Sequence, residues 1–560
     1  MGSQGKKIFV ISLDGATFDV INPLVRQGYM PKIEAVLPSS VSAQLESVIP
    51  PVTAPAWTSF MTGKHPSKHG IFDFARFRPT DYSWAINNAQ NIQSKTLWQI
   101  LSEKGKRVVV LNLPYTYPPY PVNGVLVSGW DTPFTEAAFS CPASVSSDIL
   151  RTFPDYKNNL WVSEFQPLHS DAQFAEFTEK LQAGFEQQTK IALNLLVEES
   201  WDVFMVHFQQ TDWIQHKLWT YIEQGCKNPK DHSAKIEATR NCYRRFDELV
   251  GRLFQQVEAL KPTTILLSDH GFGRLMGSIH PNFYLKQWGY LSVTSEPADN
   301  LKGVKNLFRK SKYKPVRGLY RSLADAKNNL GKSGSAQDPH SWADNAGDVL
   351  SSRGAAWDWN TTKAAVVYAY QMGFLYVNLV GRGSRGIVEP GREYETLMDG
   401  LISRFREIRH PRTGDKLLQD VVRGTDIYPA AVDGILVPDL VLIPVEGYGF
   451  SFSTTDVPPE VSEEGTHRHN GVVLLKGDSV RRPTSDFCPN LIDLAPTILH
   501  ILDLPIPDDM DGRVLKEILT VDRPARYENA DNSVVSAAQS YTQEEEEIVA
   551  QRLKGLGYLD

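Results

Sequence analysis

Cysteine is scarce in this chain. The 560 residues hold four (Cys141, Cys226, Cys242, Cys488), with no C-x-x-C spacing. That excludes a disulfide framework and a cysteine zinc site, and it predicts reduced, mostly buried thiols. Long apolar runs are missing too: none approaches the roughly 18–20 residues of a membrane-spanning helix. The longest, Ile8–Leu13 and Ala364–Tyr370, have the length of core strands. No charge sign dominates, with 58 Lys and Arg against 65 Asp and Glu and a net charge of −7, so generic binding to nucleic acid is not expected. Met1–Lys7 leads into only the six-residue, largely apolar run Ile8–Leu13 before Asp14, with no small-residue cleavage site, and Lys6 stands where myristoylation wants Ser or Thr. A cytoplasmic location is the resulting expectation. There is no internal repeat. What remains is 41% hydrophobic and 22% charged, with a mean hydropathy of −0.30, the balance of a soluble globular protein of enzyme size.

Short apolar, β-branched runs recur along the chain: Lys7–Leu13, Arg107–Leu113, Asp202–Phe208, Thr263–Leu267, Leu375–Leu379, Leu440–Pro444 and Val472–Leu475. Continuous rather than alternating apolarity predicts strands buried on both faces, the habit of parallel sheets. Helix-period stretches lie between them at Lys95–Lys104, Ala172–Glu199 and Ala234–Leu260, and a further apolar helix is expected near Asn490–Leu502. The alternation predicts an α/β fold around a central, mostly parallel sheet.

Two segments break the rhythm. Residues 296–356 carry no strong strand signal. Within them Leu301–Lys332 has ten basic residues against the single acid Asp325, which reads as a surface insertion, a substrate-facing cap or lid, or a patch touching an acidic membrane peripherally. Residues 526–560 form an acidic, amphipathic tail in which Glu544–Glu547 precede Ile548, Val549, Leu553 and Leu556, a helix start whose charge suits the helix dipole. The expected division is a discontinuous core of 1–295 and 357–525, a basic insertion at 296–356, and the tail at 526–560.

Acids and histidines fall where strands end. Asp14 closes the first strand; Asp212 and His216 follow Asp202–Phe208; Asp269 and His270 end Thr263–Leu267; His467 lies just before Val472–Leu475. Carboxyl ends of parallel strands share one edge, so residues remote in sequence can converge there. Each alone reads as a turn, a cap or a core polar group. Six nitrogen and oxygen ligands without sulfur suit one or two divalent metals, with zinc favoured and manganese admissible. Thr53 follows the strand-like Val41–Ile49 and precedes a helix-compatible Pro55–Thr62. That places its hydroxyl near a helix N-terminus, where it is either a cap or an activated nucleophile. Thr58, Ser59 and Thr62 compete for that role from inside the helix.

Taken together, ISLDG (11–15), T-x-P (53–55), TGKHPSKHGI (62–71), TDWIQH (211–216), SDHGFG (268–273) and GTHRHNG (465–471) resemble the alkaline phosphatase superfamily, and within it the type I phosphodiesterase/nucleotide pyrophosphatase family. The likeness to its uncharacterised prokaryotic members extends to DLAPTILHILDLPIPDDMDG (493–512) and the tail. The resemblance implies an alkaline-phosphatase-like three-layer fold with a helical or loop cap. It implies one metal on Asp212, His216 and His467, and a second on Asp14, Asp269 and His270, with Thr53 as nucleophile and ligand. His469 is the rival to His467; His65, His69 and His280 are read as structural. Ala56 stands where the nucleotide pyrophosphatases usually carry asparagine, and Trp57 occupies the arginine position of the sulfatase motif. Trp57, Lys64 and Arg274 are candidate substrate contacts.

The implied activity is metal-dependent hydrolysis of a small-molecule, lipid-linked or glycan-linked phosphate ester through a phosphothreonine, diesters or pyrophosphates ahead of monoesters. The alternatives are phosphoryl transfer between hydroxyls on the same site and a non-catalytic, metal-stabilised binding protein.

Overall fold

The computed structural model describes residues 6–133, 138–156, 168, 170–293, 357–429, 431–455, 458–483, 486–531 and 541–555. The basic stretch 301–332 lies outside them, as does the whole of the expected 296–356 insertion. Among the described residues no helix is long and apolar enough to cross a membrane.

The first apolar run becomes the strand Ile8–Leu13, completely buried, at the middle of an eight-stranded sheet. The order across that sheet is Val41–Glu46, Asn470–Lys476, Thr263–Leu267, Ile8–Leu13, Val203–Phe208, Val108–Leu113, Gly124–Ser128 and Ser140–Cys141. The five strands from Thr263–Leu267 to Gly124–Ser128 are parallel. Their unbroken Val, Ile, Leu and Phe content follows from helices covering both faces. The long helices are Asp171–Glu198, Gln210–Lys227 and Ala234–Val257. This is the alkaline-phosphatase-like α/β architecture anticipated above.

Two expectations about strands are corrected. Asn470–Lys476, which contains the run Val472–Leu475, joins the sheet antiparallel to Thr263–Leu267. Its amino end therefore meets the carboxyl ends of the parallel strands. The runs at Leu375 and Leu440 are not in the central sheet at all. They belong to a four-stranded antiparallel sheet of order Ala364–Ala369, Gly373–Val377, Leu440–Pro444, Leu418–Arg423. That sheet has its own apolar core, to which helix Arg392–Arg406 contributes Leu397, Met398, Leu401 and Phe405. Composition cannot tell the two kinds of strand apart, because both bury apolar side chains on each face.

The tail forms a helix, Gln543–Gly555, whose Val549, Ala550 and Leu553 join the main core. Leu556 lies outside the described residues. Arg552 is buried and donates to the backbone carbonyls of Trp130, Thr132 and Pro133. The Tyr541 hydroxyl donates to the carbonyl of Asp131, whose own carboxyl is buried and pushed up to about 7 by that burial. A carboxyl raised in the folded state contributes stability that is complete below about pH 4 and is lost as pH rises through about 7. At about 1.4 kcal/mol per pKa unit the loss amounts to a few kcal/mol. Asp131→Asn is expected to flatten this decline. Unfolding by guanidinium at pH 5 and at pH 8 measures it, and an unchanged difference between the two would remove Asp131 as its source.

All four cysteines are free thiols. Cys242 is buried, Cys141 and Cys226 are partly covered, and Cys488 is exposed, so the expected burial holds for only part of the set.

Candidate metal centre and nucleophile

The central sheet brings the predicted ligands to one edge. Asp14 leaves the carboxyl end of Ile8–Leu13. Asp212 lies in the first turn of Gln210–Lys227, the helix that follows Val203–Phe208, with His216 one turn on. Asp269 and His270 leave the carboxyl end of Thr263–Leu267. His467 arrives on the short strand Gly465–Arg468, paired antiparallel with Gly271–Arg274 so that His467 faces Phe272. Two glycines allow the crowding. A side chain on Gly15, at φ +69°, would meet Phe272 at 2.9 Å and Asp212 Oδ1 at 3.3 Å; one on Gly271 would meet the Asn470 carbonyl at 2.1 Å.

Asp212, His216 and His467 form one group. His216 Nε2 is 3.2 Å from His467 Nε2 and 3.4 Å from Asp212 Oδ1, which is 3.3 Å from His467 Nε2. Around His270 Nε2 lie Asp14 Oδ1 and Asp269 Oδ2, both at 3.3 Å. Asp14, Asp212 and His270 also present ligand atoms within 4.8 Å of one another, so the Asp212 carboxylate borders both groups. All these side chains are buried.

The donor chemistry fits divalent cations. Each histidine ties one ring nitrogen to the backbone: His467 Nδ1 to the Pro51 carbonyl at 3.0 Å, His270 Nδ1 to the Gly271 carbonyl at 3.1 Å, and His216 to Gly465. That arrangement turns the Nε2 lone pairs toward the carboxylates, the usual tautomer of ligating imidazoles. Burial holds His216 and His467 well below the ordinary histidine range, hence neutral as a ligand must be. The Asp269 carboxyl is raised well above its ordinary range, first by burial and then by the charge of Asp14. Its Oδ1 accepts the Gly15 N–H at 3.2 Å while its buried Oδ2 accepts no hydrogen bond. Acceptors facing acceptors are unfavourable until a cation sits among them.

Thr53 is the first residue of helix Thr53–Thr62, capped by extended Val52, and is completely buried. Its hydroxyl donates to Asp14 Oδ1 at 3.3 Å and lies 3.4 Å from His270 Nε2. Its rivals are occupied elsewhere. Thr58 and Thr62 donate to carbonyls one turn back, and Ser59 pairs with His69 at 2.8 Å. His469 turns to Glu46 at 3.4 Å, and His280 to the Thr455 carbonyl. The backbone N–H of His65 donates to Asp511.

The three candidate substrate contacts are engaged otherwise. The Trp57 indole donates to Asp14 Oδ2 at 2.8 Å, so it holds a candidate ligand carboxylate in place. Lys64 pairs with Asp509 and Arg274 with Glu223. Three residues near the centre escaped the sequence reading. His207 Nε2 is 3.7 Å from Asp14 Oδ2, and its ring is fixed by Ser12 and Gln209. Tyr370 places its hydroxyl 3.3 Å from His216 Nε2, and Gln371 reaches Thr466 beside His467. A histidine inside the apolar run Asp202–Phe208 was a signal for the first. Nothing local marks Tyr370 and Gln371.

Residues 8–471 match the type I phosphodiesterase / nucleotide pyrophosphatase family. None of the curated proteins compared matches the sequence. Among solved structures, phosphonoacetate hydrolase from Sinorhizobium meliloti, in complex with phosphonoformate, is similar at 13% identity and a TM-score of 0.51, over 89% of this chain and 95% of that one. Murine ectonucleotide pyrophosphatase / phosphodiesterase 5 follows at 12% identity and a TM-score of 0.49, over 92% of this chain and all of that one. At such identities the likeness is one of fold. The family match spans Thr53 and all six candidate ligands, and the chain therefore belongs to the type I phosphodiesterase / nucleotide pyrophosphatase family, as a metal-dependent hydrolase of phosphoric esters.

Proposed function

We propose that the protein cleaves a phosphodiester or pyrophosphate bond by attack of Thr53, through a covalent phosphothreonine. The observation that carries this is the Thr53 hydroxyl at a helix N-terminus, within 3.3–3.4 Å of Asp14 and His270. Asp14, Asp269 and His270, with Thr53, would hold one divalent cation, and Asp212, His216 and His467 a second. Zinc suits the three imidazoles and manganese is tolerated by the same donors. Such cations lower the pKa of a bound hydroxyl and neutralise phosphoryl charge.

The chain's own groups do the rest. Asp14 Oδ1 accepts the Thr53 proton's hydrogen bond and so orients the hydroxyl, while Trp57 fixes the other oxygen of the same carboxylate. The bond from Thr53 Oγ1 to phosphorus forms as its proton is lost to solvent and the bond to the leaving oxygen breaks on the opposite face, the leaving oxygen being protonated from solvent. Water then attacks phosphorus as the Thr53 Oγ1–phosphorus bond breaks and a proton returns to Oγ1, so that two inversions retain configuration at phosphorus. Backbone N–H groups at the start of Thr53–Thr62 add fixed positive potential there.

The preference for a singly charged ester rests on three cations that are already engaged within the chain. Lys64 and Arg274 are each neutralised by a carboxylate, and Arg468 is turned to backbone carbonyls and Glu446. A dianionic monoester would want one of them free. A panel of p-nitrophenyl diesters, monoesters, phosphonates and sulfates, assayed with Zn²⁺ and with Mn²⁺, tests the proposal. Diester turnover at least about tenfold above monoester turnover is expected, with phosphothreonine found at Thr53 by mass spectrometry after an acid quench. Faster monoester turnover would reverse the substrate preference.

A further inference from the structure

The helix Gln210–Lys227 carries two pairs of residues four apart. Asp212 and His216 share one face, and Thr211 and Gln215 share the face about 100° round from it. Thr211 and Gln215 are buried, as the candidate ligands are. The backbone ladder between Ile8–Leu13 and Val203–Phe208 ends at the Asp14 N–H, which donates to the Phe208 carbonyl at 3.1 Å. Past that point side chains replace it. The Thr211 hydroxyl donates to the Asp14 carbonyl at 2.7 Å and lies 3.1 Å from the Phe208 carbonyl. Gln215 Nε2 donates to the Gly15 carbonyl at 2.7 Å and to the Thr211 carbonyl at 3.0 Å.

These bonds tie Asp14 to the helix turn that bears Asp212. The peptide between Asp14 and Gly15 is held from both sides, its carbonyl by Thr211 and its N–H by Asp269 Oδ1 at 3.2 Å. A side chain on Gly465 would meet the Gln215 backbone carbonyl at 2.6 Å, so the strand that brings in His467 rests on the same turn. Both partners of the Gln215 amide nitrogen are carbonyl oxygens, so the position calls for a neutral group with two donors. Sheet pairing alone does not fix the distance from Asp14 to Asp212, because Asp212 lies past the end of its strand, on the helix.

We propose that Thr211 and Gln215 are positioning residues that set the spacing of the two cation groups, by locking the Asp14–Gly15 turn to the turn carrying Asp212 and His216. The inference rests on the two-cation hydrolase reading above. Asp14 belongs to the group beside Thr53, and Asp212 borders both groups. An ester held between two such groups tolerates little change in their separation, and a displacement of about 1 Å costs on the order of 10²-fold in rate.

Gln215→Met keeps the length and helix propensity of the side chain and removes its donors, whereas Thr211→Val removes a hydroxyl that Thr211→Ser keeps. Saturated with Mn²⁺, the parent is expected to bind two ions per chain and to give the electron paramagnetic resonance spectrum of a spin-coupled pair. Gln215→Met and Thr211→Val are expected to bind two ions as well, with the coupling weaker and more spread. Their kcat on a chromogenic diester should fall about 10- to 100-fold, the range for a residue supporting a metal ligand, with KM within about threefold of the parent. Thr211→Ser is expected to match the parent in coupling and rate. If Gln215→Met does not fold, the Thr211 pair decides. Parent-like coupling in the donor-less variants, equal effects of Thr211→Ser and Thr211→Val, or fewer than two ions per chain at saturation would each overturn the assignment. A coupled pair in a parent that turns over no ester would instead sink the hydrolase reading, and the spectra of the variants would still decide the spacing role.

Discussion

Thr53→Ala should abolish hydrolysis, lowering kcat by on the order of 10³- to 10⁶-fold, the range for loss of a covalent nucleophile, while leaving the metals in place. The hydroxyl touches Asp14 and His270 but anchors nothing else. Its loss is worth about 1 kcal/mol of stability, the net value of an ordinary hydrogen bond. Alanine also suits the first position of Thr53–Thr62 as a helix former. Turnover of a chromogenic diester, metal content by mass spectrometry and the thermal midpoint, measured on one preparation, separate a dead nucleophile from a damaged fold. Thr53→Ser restores a hydroxyl and should recover part of the rate. Full turnover in the alanine variant would mean that the nucleophile lies elsewhere.

Asp212→Asn should have the largest effect on metal. Its carboxylate borders both ligand groups, lying 3.3 Å from His467 Nε2 and 3.4 Å from His216 Nε2, and it joins Asp14 and His270 in the second group. An amide offers one weaker oxygen donor and no charge. Both sites are expected to weaken, and the stabilisation that metal confers should vanish with them. At a free metal concentration a thousandfold above Kd that stabilisation is about 4 kcal/mol per site. Without metal the order reverses: the variant should unfold no earlier than the parent, since it removes a buried charge from a crowded group of acceptors. Thermal unfolding with saturating zinc and with chelator reads both arms. A full metal complement in the variant would rule out Asp212 as a shared ligand.

These two residues illustrate what was legible in the sequence. Asp14, Asp212, Asp269 and His270 each follow an apolar run, and a polar group in that position needs a partner. The strands, the long helices and the site edge followed from the same periodicity. His467 stands beside Asp212 and His216 for a reason that the strand runs alone did not contain. It reaches the centre because Asn470–Lys476 runs antiparallel to its neighbour, which puts that strand's beginning at the edge where the others end. Trp57 was noticed as a departure from a motif, yet its role as the donor that steadies Asp14 needed the helix geometry of Thr53–Thr62.

The separate sheet built from Ala364–Ala369, Gly373–Val377, Leu418–Arg423 and Leu440–Pro444 was not legible, and neither was the reach of Tyr370 into the centre. A strand's own residues dictate that it is extended and buried; they do not dictate its neighbour or its direction. Pairing is a contact between distant segments, chosen by which register buries the most apolar surface for the whole chain at once. The chain by itself determined which side chains were available for metal and phosphoryl chemistry. The tertiary structure alone decided which of them meet, because a 3 Å contact across 150 residues of sequence leaves no local trace.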